Sequence, residues 1–188
     1  MTSSENNQAR DAVRAFCERL YALADAEDRG ALAALRRSLQ DPSGMSAAAC
    51  PYVVPYLPKE QDLYRERAYF LVAALFALAG DHSVGVSVGD ALRRVNHESS
   101  SDGSDNPSIR GRFVALLDAH PEDVGEHLRH VASLARAHGI ALDWEQLLRD
   151  LLRLRDPERR VQRAWAHAFW GRQSQSTNNA TSKEEVNV

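Results

Sequence analysis

The sequence predicts an all-α protein, a helical bundle of about eight helices in two lobes. Apolar residues recur at spacings of three and four along most of the chain, the period of a single helix face. Capping and stop residues fall between those stretches. No run alternates convincingly as a strand; VGVSV, Val84 to Val88, is the one weak candidate. With 188 residues the chain suits one domain, or two small lobes sharing a core.

Taken in order, the polar residues Met1 to Asn6 are expected to be disordered. From Asn7, the apolar positions Ala9, Ala12, Val13, Phe16, Leu20, Leu23 and Ala24 predict an amphipathic helix ending near Asp25. Asp28 is placed to cap a second helix, with Leu32, Leu35 and Leu39 on one side and Arg36 and Arg37 on its flank. Asp41-Pro42-Ser43-Gly44 stops it. Pro51, Pro55 and Pro58 exclude a long helix from Met45 to Lys59, which reads as a buried, turn-rich crossover. Gln61 to Ala79 is apolar almost all round after Ala68 and belongs at the centre of a bundle, with Gly80 ending it.

Ser87 caps the next helix, which turns Val88, Leu92 and Val95 inward and leaves Arg93 and Arg94 outside. Asn96 to Pro107 is polar throughout and reads as a mobile loop between an N-terminal lobe, 1–95, and a C-terminal lobe, 108–171. Ile109, Phe113, Leu116 and Leu117 form the inner face of a helix flanked by Arg110 and Arg112. His120-Pro121-Glu122-Asp123 starts another, with Val124, Leu128, Val131, Leu134 and Ala135 as its apolar stripe and Gly139 as its end.

Asp143 to Trp170 reads as two consecutive helices. Asp143 and Gln146 have the spacing of a capping box, and Asp156-Pro157 restarts the helix. Leu147, Leu148, Leu151, Val161, Ala164, Trp165, Ala168 and Phe169 make the inner face, and the tryptophans read as core. Gly171 ends the last helix, and 172–188 is expected to be a disordered tail.

The charge of that stretch departs from the rest. Between Arg149 and Arg172 seven arginines face three acids, +4 on a chain whose net charge is −3. Arg159, Arg160 and Arg163 crowd one face with too few acids beside them, and Arg149 and Arg153 stack on the preceding helix. Such a face suits polyanions through phosphate contacts that carry no base information. Charge alone leaves three destinations open: a nucleic-acid backbone, an acidic protein surface, or solvent. The preference for arginine over lysine, of which there are only Lys59 and Lys183, is equally well explained by codon bias in a GC-rich genome.

Other chemistries find little support. Cys17 lies beside a core stripe, Cys50 precedes a proline, and neither has a paired base nearby in sequence. Two cysteines are too few for a disulfide framework and point to a reducing cytoplasm. His127 and His130 lie one turn apart, near Asp123 and Glu126, but no second helix offers a matching ligand pattern, so no metal and no cofactor is expected. Phosphate-cradling glycine motifs are absent. The N-terminus has no apolar segment of the signal-peptide kind, and Ala68 to Ala79 is too short to span a membrane.

LDWEQLLRDLLRLRDPERRVQRAWAHAFW, preceded by SIRGRFVALLDAHPEDVGEHLRHVASLARAHGI, resembles the CasB family, the small subunit of the type I-E CRISPR effector complex Cascade. VGDALRRVN and LAALRRS extend the resemblance over roughly Ala31 to Trp170. It implies a non-enzymatic, two-lobed helical protein, present as two copies beside the guide-RNA filament and the large subunit. It also implies a part in holding the target strand and the displaced strand of the R-loop. Positions matching the family's basic surface are Arg36, Arg37, Arg93, Arg94, Arg110, Arg112, Arg159, Arg160 and Arg163. Many members carry two adjacent arginines where Gly111 separates Arg110 from Arg112 here. The first helix, the loop 96–107 and the tail do not match closely.

Overall fold

Caps and apolar stripes place the helices close to where the sequence puts them. The computed structural model of the chain describes residues 3–41, 45–59, 62–99 and 106–171, with the side chains of 3–6 left aside. Among these residues there are nine α-helices and no strand: α1 (Ser3–Asp25), α2 (Arg29–Arg37), α3 (Cys50–Val53), α4 (Leu63–Ala79), α5 (Val88–Glu98), α6 (Pro107–Asp118), α7 (Val124–Ala137), α8 (Trp144–Leu151) and α9 (Arg160–Trp170). Eight are the expected ones. The ninth, α3, is a single turn that runs into a 3-10 turn, Val54–Tyr56, so the proline-rich crossover is built from short helical turns. None of the described helices is long and apolar enough to cross a membrane.

Several boundaries move, each for a local reason. α1 begins at Ser3, ahead of the expected Asn7, since SSENNQ holds no glycine or proline to stop a helix. α5 continues through Asn96, His97 and Glu98, which polarity alone assigns to the mobile loop. Asn96 is buried, and its Oδ1 accepts the Asn106 N–H at 2.9 Å, tying the two ends of that loop together. Asn106 then caps α6 by accepting from the Ser108 N–H. The middle of the loop, 100–105, lies outside the described residues, as do Pro42 to Gly44 and the tail 172–188.

Val84 to Val88 is not a strand. Val84 is 90% exposed, and the segment is held by single bonds to the start of α8: Ser83 N–H to the Leu142 carbonyl, Gly85 N–H to Asp143 Oδ2, and Asp143 N–H to the Val86 carbonyl. That last bond occupies the N–H a capping box would need. Asp143 accepts from the Gln146 N–H at 2.8 Å, but Gln146 Nε2 donates forward to Asp150 instead of back. The full box forms at α5, between Ser87 and Asp90.

α4 is the central element. Ala68 to Ala77 is buried apart from Leu71, and the helix packs against α2, α7 and α8, ending at Gly80, whose φ of 92° suits a residue without Cβ. A second group, α5, α6, α7 and α9, packs together, with α7 against α4 as the join. The groups do not follow chain order, since α5 sits with α9 while α8 sits with α1 and α4. One continuous apolar cluster runs from Val13 to Phe169.

α9 is fixed by Trp165. Its indole is buried, and its N–H donates to Asp150 Oδ2 at 2.6 Å. On α5, Gly89 lies so close that a Cβ there would stand 2.2 Å from the Trp165 carbonyl oxygen and 2.9 Å from Ala168 Cβ. Asp150, accepting from both Trp165 and Gln146, has its pKa raised by burial, an effect that those hydrogen bonds and then the nearby Arg149 and Arg153 oppose.

Gly89→Ala should therefore lower the unfolding free energy by about 1–3 kcal/mol through overpacking, read as a lower urea midpoint, although alanine is the better helix former. Asp150→Asn, which can accept only one of the two bonds with its oxygen, should cost about 1–3 kcal/mol. The folded Asp150 keeps its proton to higher pH than the unfolded one. Its contribution is then full below about pH 4 and is lost as pH rises through the raised value. Urea titrations should show the gap between wild type and Asp150→Asn narrowing as pH rises; a gap independent of pH would refute the burial effect.

Candidate nucleic-acid interface

The nine arginines singled out by sequence fall on both helix groups. Arg36 and Arg37 are exposed at the C-terminal end of α2, where cations oppose the helix dipole, and Arg36 Nε reaches back to the Leu32 carbonyl. The other seven lie on, or immediately before, α5, α6 and α9. These three helices are brought together by Gly89 against Trp165 and by Phe113 of α6 stacked on Phe169 of α9, centroids 4.4 Å apart.

Their surroundings differ from the expected bare face. Arg93 is mostly buried and donates to Asp90 Oδ1 at 3.1 Å, so it braces the capped start of α5. Arg159 does not lie within α9. It precedes the helix in the left-handed region, φ 52°, because Asp156 to Arg159 is a tight turn: the Asp156 side chain accepts from the Glu158 N–H and its carbonyl from the Arg159 N–H. The helix thus starts at Arg160 and not at Pro157. The Arg159 guanidinium crosses to α6, donating to the Leu117 carbonyl and lying 3.7 Å from Asp118. Arg160 pairs with Asp156 at 3.0 Å and Glu158 at 2.7 Å.

The local shortage of acids is thus only apparent. Glu145 answers Arg149, and Arg155 lies 3.9 Å from the Tyr64 ring centroid while pairing with Glu122. Charge counting within one stretch missed Asp118 and Glu122, which come from another part of the chain. Asp150, one of the three acids counted there, is the partner of Trp165. Of the nine, Arg36, Arg37, Arg94, Arg110, Arg112 and Arg163 stay open, the last four on the second helix group: all six are exposed, and among the described residues no carboxylate lies within ion-pair distance of them or of the exposed Arg153. The pairs of Arg159 with Asp118 and of Arg160 with Glu158 are largely solvent-facing, worth about 0–1 kcal/mol each, so a phosphate can compete for them.

The inner face of α9 needs one more correction. Ala164 is exposed, while Gln162 is buried, its Nε2 donating to the Leu154 carbonyl at 3.3 Å. Trp144 and Trp165 are core as expected; Trp170 is not, at 46% exposure.

The cysteines and histidines weighed in the sequence have these surroundings. Cys17 is fully buried, and burial, with Glu145 adding to it, pushes its thiol up to about 12, far from a reactive thiolate. His127 borders a cleft of about 550 Å³ between α4 and α7, whereas His130 is exposed, its Nδ1 2.9 Å from the Glu126 carbonyl. No group of three His, Cys, Asp or Glu side chains suited to a metal ion occurs among the described residues.

Known proteins resemble the chain in sequence and in fold. The family model of CRISPR-associated protein Cse2 matches residues 31–170. Cse2 of Thermus thermophilus is 41% identical over 143 residues, 75% of this chain and 79% of its own. The crystal structure of CasB from Thermus thermophilus superposes with a TM-score of 0.73 at 36% identity, covering 85% of this chain and 98% of that one. A chain of a CRISPR RNA-guided surveillance complex gives a TM-score of 0.66 at 26% identity, with 85% and 91% covered. Shared sequence and shared helix order, over most of the length of both, place this chain in the CRISPR-associated Cse2, or CasB, family.

Proposed function

We propose that the chain is the non-catalytic small subunit of a type I-E CRISPR Cascade complex, and that its basic surfaces stabilise guide RNA, target DNA and the displaced strand of the R-loop. The observation that carries this reading is the set of open cations on the second helix group: Arg94, Arg110, Arg112 and Arg163, with Arg159 and Arg160 held in exchangeable pairs beside them. Family membership and the likeness to a chain of a CRISPR RNA-guided surveillance complex support the choice of polyanion. In guide-RNA systems base pairing reads sequence, and protein contributes charge along the backbone. A scattered basic surface of this size binds weakly, and becomes effective when the complex holds it next to the strand.

In this reading the partners are the filament and large subunits of Cascade, the guide RNA, the target DNA and a second copy of the chain, all in the cytoplasm. The lobes 1–95 and 108–171 act as one body, since α5 and α8 each pack with the other's group. Arg36 and Arg37 form a separate contact on the first group. Arg93 contributes by holding the α5 terminus, its guanidinium being engaged by Asp90. A second reading, an architectural adaptor, is favoured by the readiness of Arg155, Arg159 and Arg160 to pair with carboxylates. There the same cations meet acidic protein surfaces.

Replacing Arg159, Arg160 and Arg163 together by alanine should weaken binding of single-stranded DNA or RNA and reduce the slope of log affinity against log salt by about 2, at roughly 0.7 for each phosphate no longer neutralised. An unchanged slope would remove this face from the interface. The adaptor reading instead expects negligible nucleic-acid binding by the wild-type chain and loss of the triple variant from the complex on gel filtration. Arg36→Ala with Arg37→Ala should lower affinity independently of the triple change, the two free-energy changes adding, because the sites lie on different helix groups.

A further inference from the structure

The outer face of α9 runs from cations into an open aromatic ring. At 100° per residue, positions 160, 163, 167 and 170 fall within a sector of about 80°. Arg160, Arg163, His167 and Trp170 are all exposed. Trp170 lies about 10 Å along the axis from Arg163. Its ring is steadied from below, by Phe113 at 5.1 Å and edge-on by Phe169 at 5.0 Å, yet almost half of the residue meets solvent. The exposed Arg110 lies one turn before Phe113 on α6.

The other two tryptophans show what a structural indole looks like in this fold. Trp144 and Trp165 are 0% and 1% exposed, and each N–H has an acceptor, the Asp81 carbonyl and the Asp150 carboxylate. The Trp170 N–H finds no acceptor among the described residues. A rigid, half-open indole at the end of a phosphate-binding row is the arrangement by which proteins hold unpaired strands, with charge following the backbone and an aromatic face taking the base. An acidic protein surface would use the cations and leave the ring unexplained.

We propose that Trp170 is a stacking platform for an unpaired nucleobase of the strand bound along α9. The inference rests on the nucleic-acid reading above and adds to it a contact with the base itself, without sequence preference, since every base offers a π-face.

The test uses the full chain with an oligothymidylate and an abasic oligonucleotide of equal phosphate count. Because Trp144 and Trp165 are buried, quenching of tryptophan fluorescence reports on Trp170 without any substitution. Quenching is expected with the oligothymidylate and not with the abasic strand. Trp170→Ala should lower affinity for the oligothymidylate about tenfold, within the range measured for one stacked base, and leave the salt slope and abasic binding as they were. Trp170→Phe should recover part of the loss while preserving packing on Phe113. Equal quenching by both strands, or unchanged affinity in Trp170→Ala with the salt slope intact, would overturn stacking and leave the backbone reading standing. Release of that variant from the assembled complex would then assign Trp170 to a protein contact. Wild-type binding without salt dependence would overturn both readings together.

Discussion

The geometry of the basic surface depends on one buried side chain, Trp165. Its N–H holds the Asp150 carboxylate of α8, and its carbonyl and the neighbouring Ala168 leave room on α5 only for glycine. A hydrogen bond to a charged acceptor and a close backbone approach fix α9 from two sides. With α9 fixed, Phe169 meets Phe113 and sets α6 alongside. The exposed cations of this group, separated by up to seventy residues of sequence, thereby lie on helices that are packed together.

Within that region the electrostatics are less one-sided than the local count of charges suggests. Exposed ion pairs contribute little to stability, about 0–1 kcal/mol each, and their chief effect is to set where side chains rest when no ligand is bound. Arg159 reaches across to α6, and Arg160 folds over its own turn acids. Phosphate binding as proposed would exchange one set of charge contacts for another, which would keep affinity modest and strongly dependent on salt. In the proposed function, modest affinity would suit a subunit that acts in an assembly, where linkage supplies concentration, and would keep a protein of net charge −3 from coating nucleic acid at large.

The tight turn from Asp156 to Arg159 serves the same end. A continuous helix from Pro157 would have carried Arg159 and Arg160 along a smooth extension of α9. The turn instead places Arg159 in a left-handed conformation, uncommon for a residue with a side chain, and directs its guanidinium to the end of α6. The backbone conformation is held by the bonds on both sides of it, from Arg159 N–H to Asp156 and from Arg163 N–H to Arg159.

By itself the sequence determined the class of the fold, most helix boundaries, and nearly the whole core, because those rest on periodicity and on caps that act within four residues. Asp28, Ser87 and Asp143 each cap the helix they precede, and Leu147, Leu148, Leu151 and Phe169 are buried as the spacing requires. It also carried the family resemblance, through the order of short helical motifs. Tertiary structure alone decided which arginines are open. Arg155 and Arg159 find Glu122 and Asp118 more than thirty residues away, and Asp150 turns inward to an indole fifteen residues on. Likewise Trp165 and Trp170, five residues apart on one helix, part company because α5 and α8 cover the first, whereas Phe113 and Phe169 back the second and leave almost half of it open. Spacing along a chain assigns a residue to a face of its helix; only the neighbouring helices decide whether that face meets protein or water.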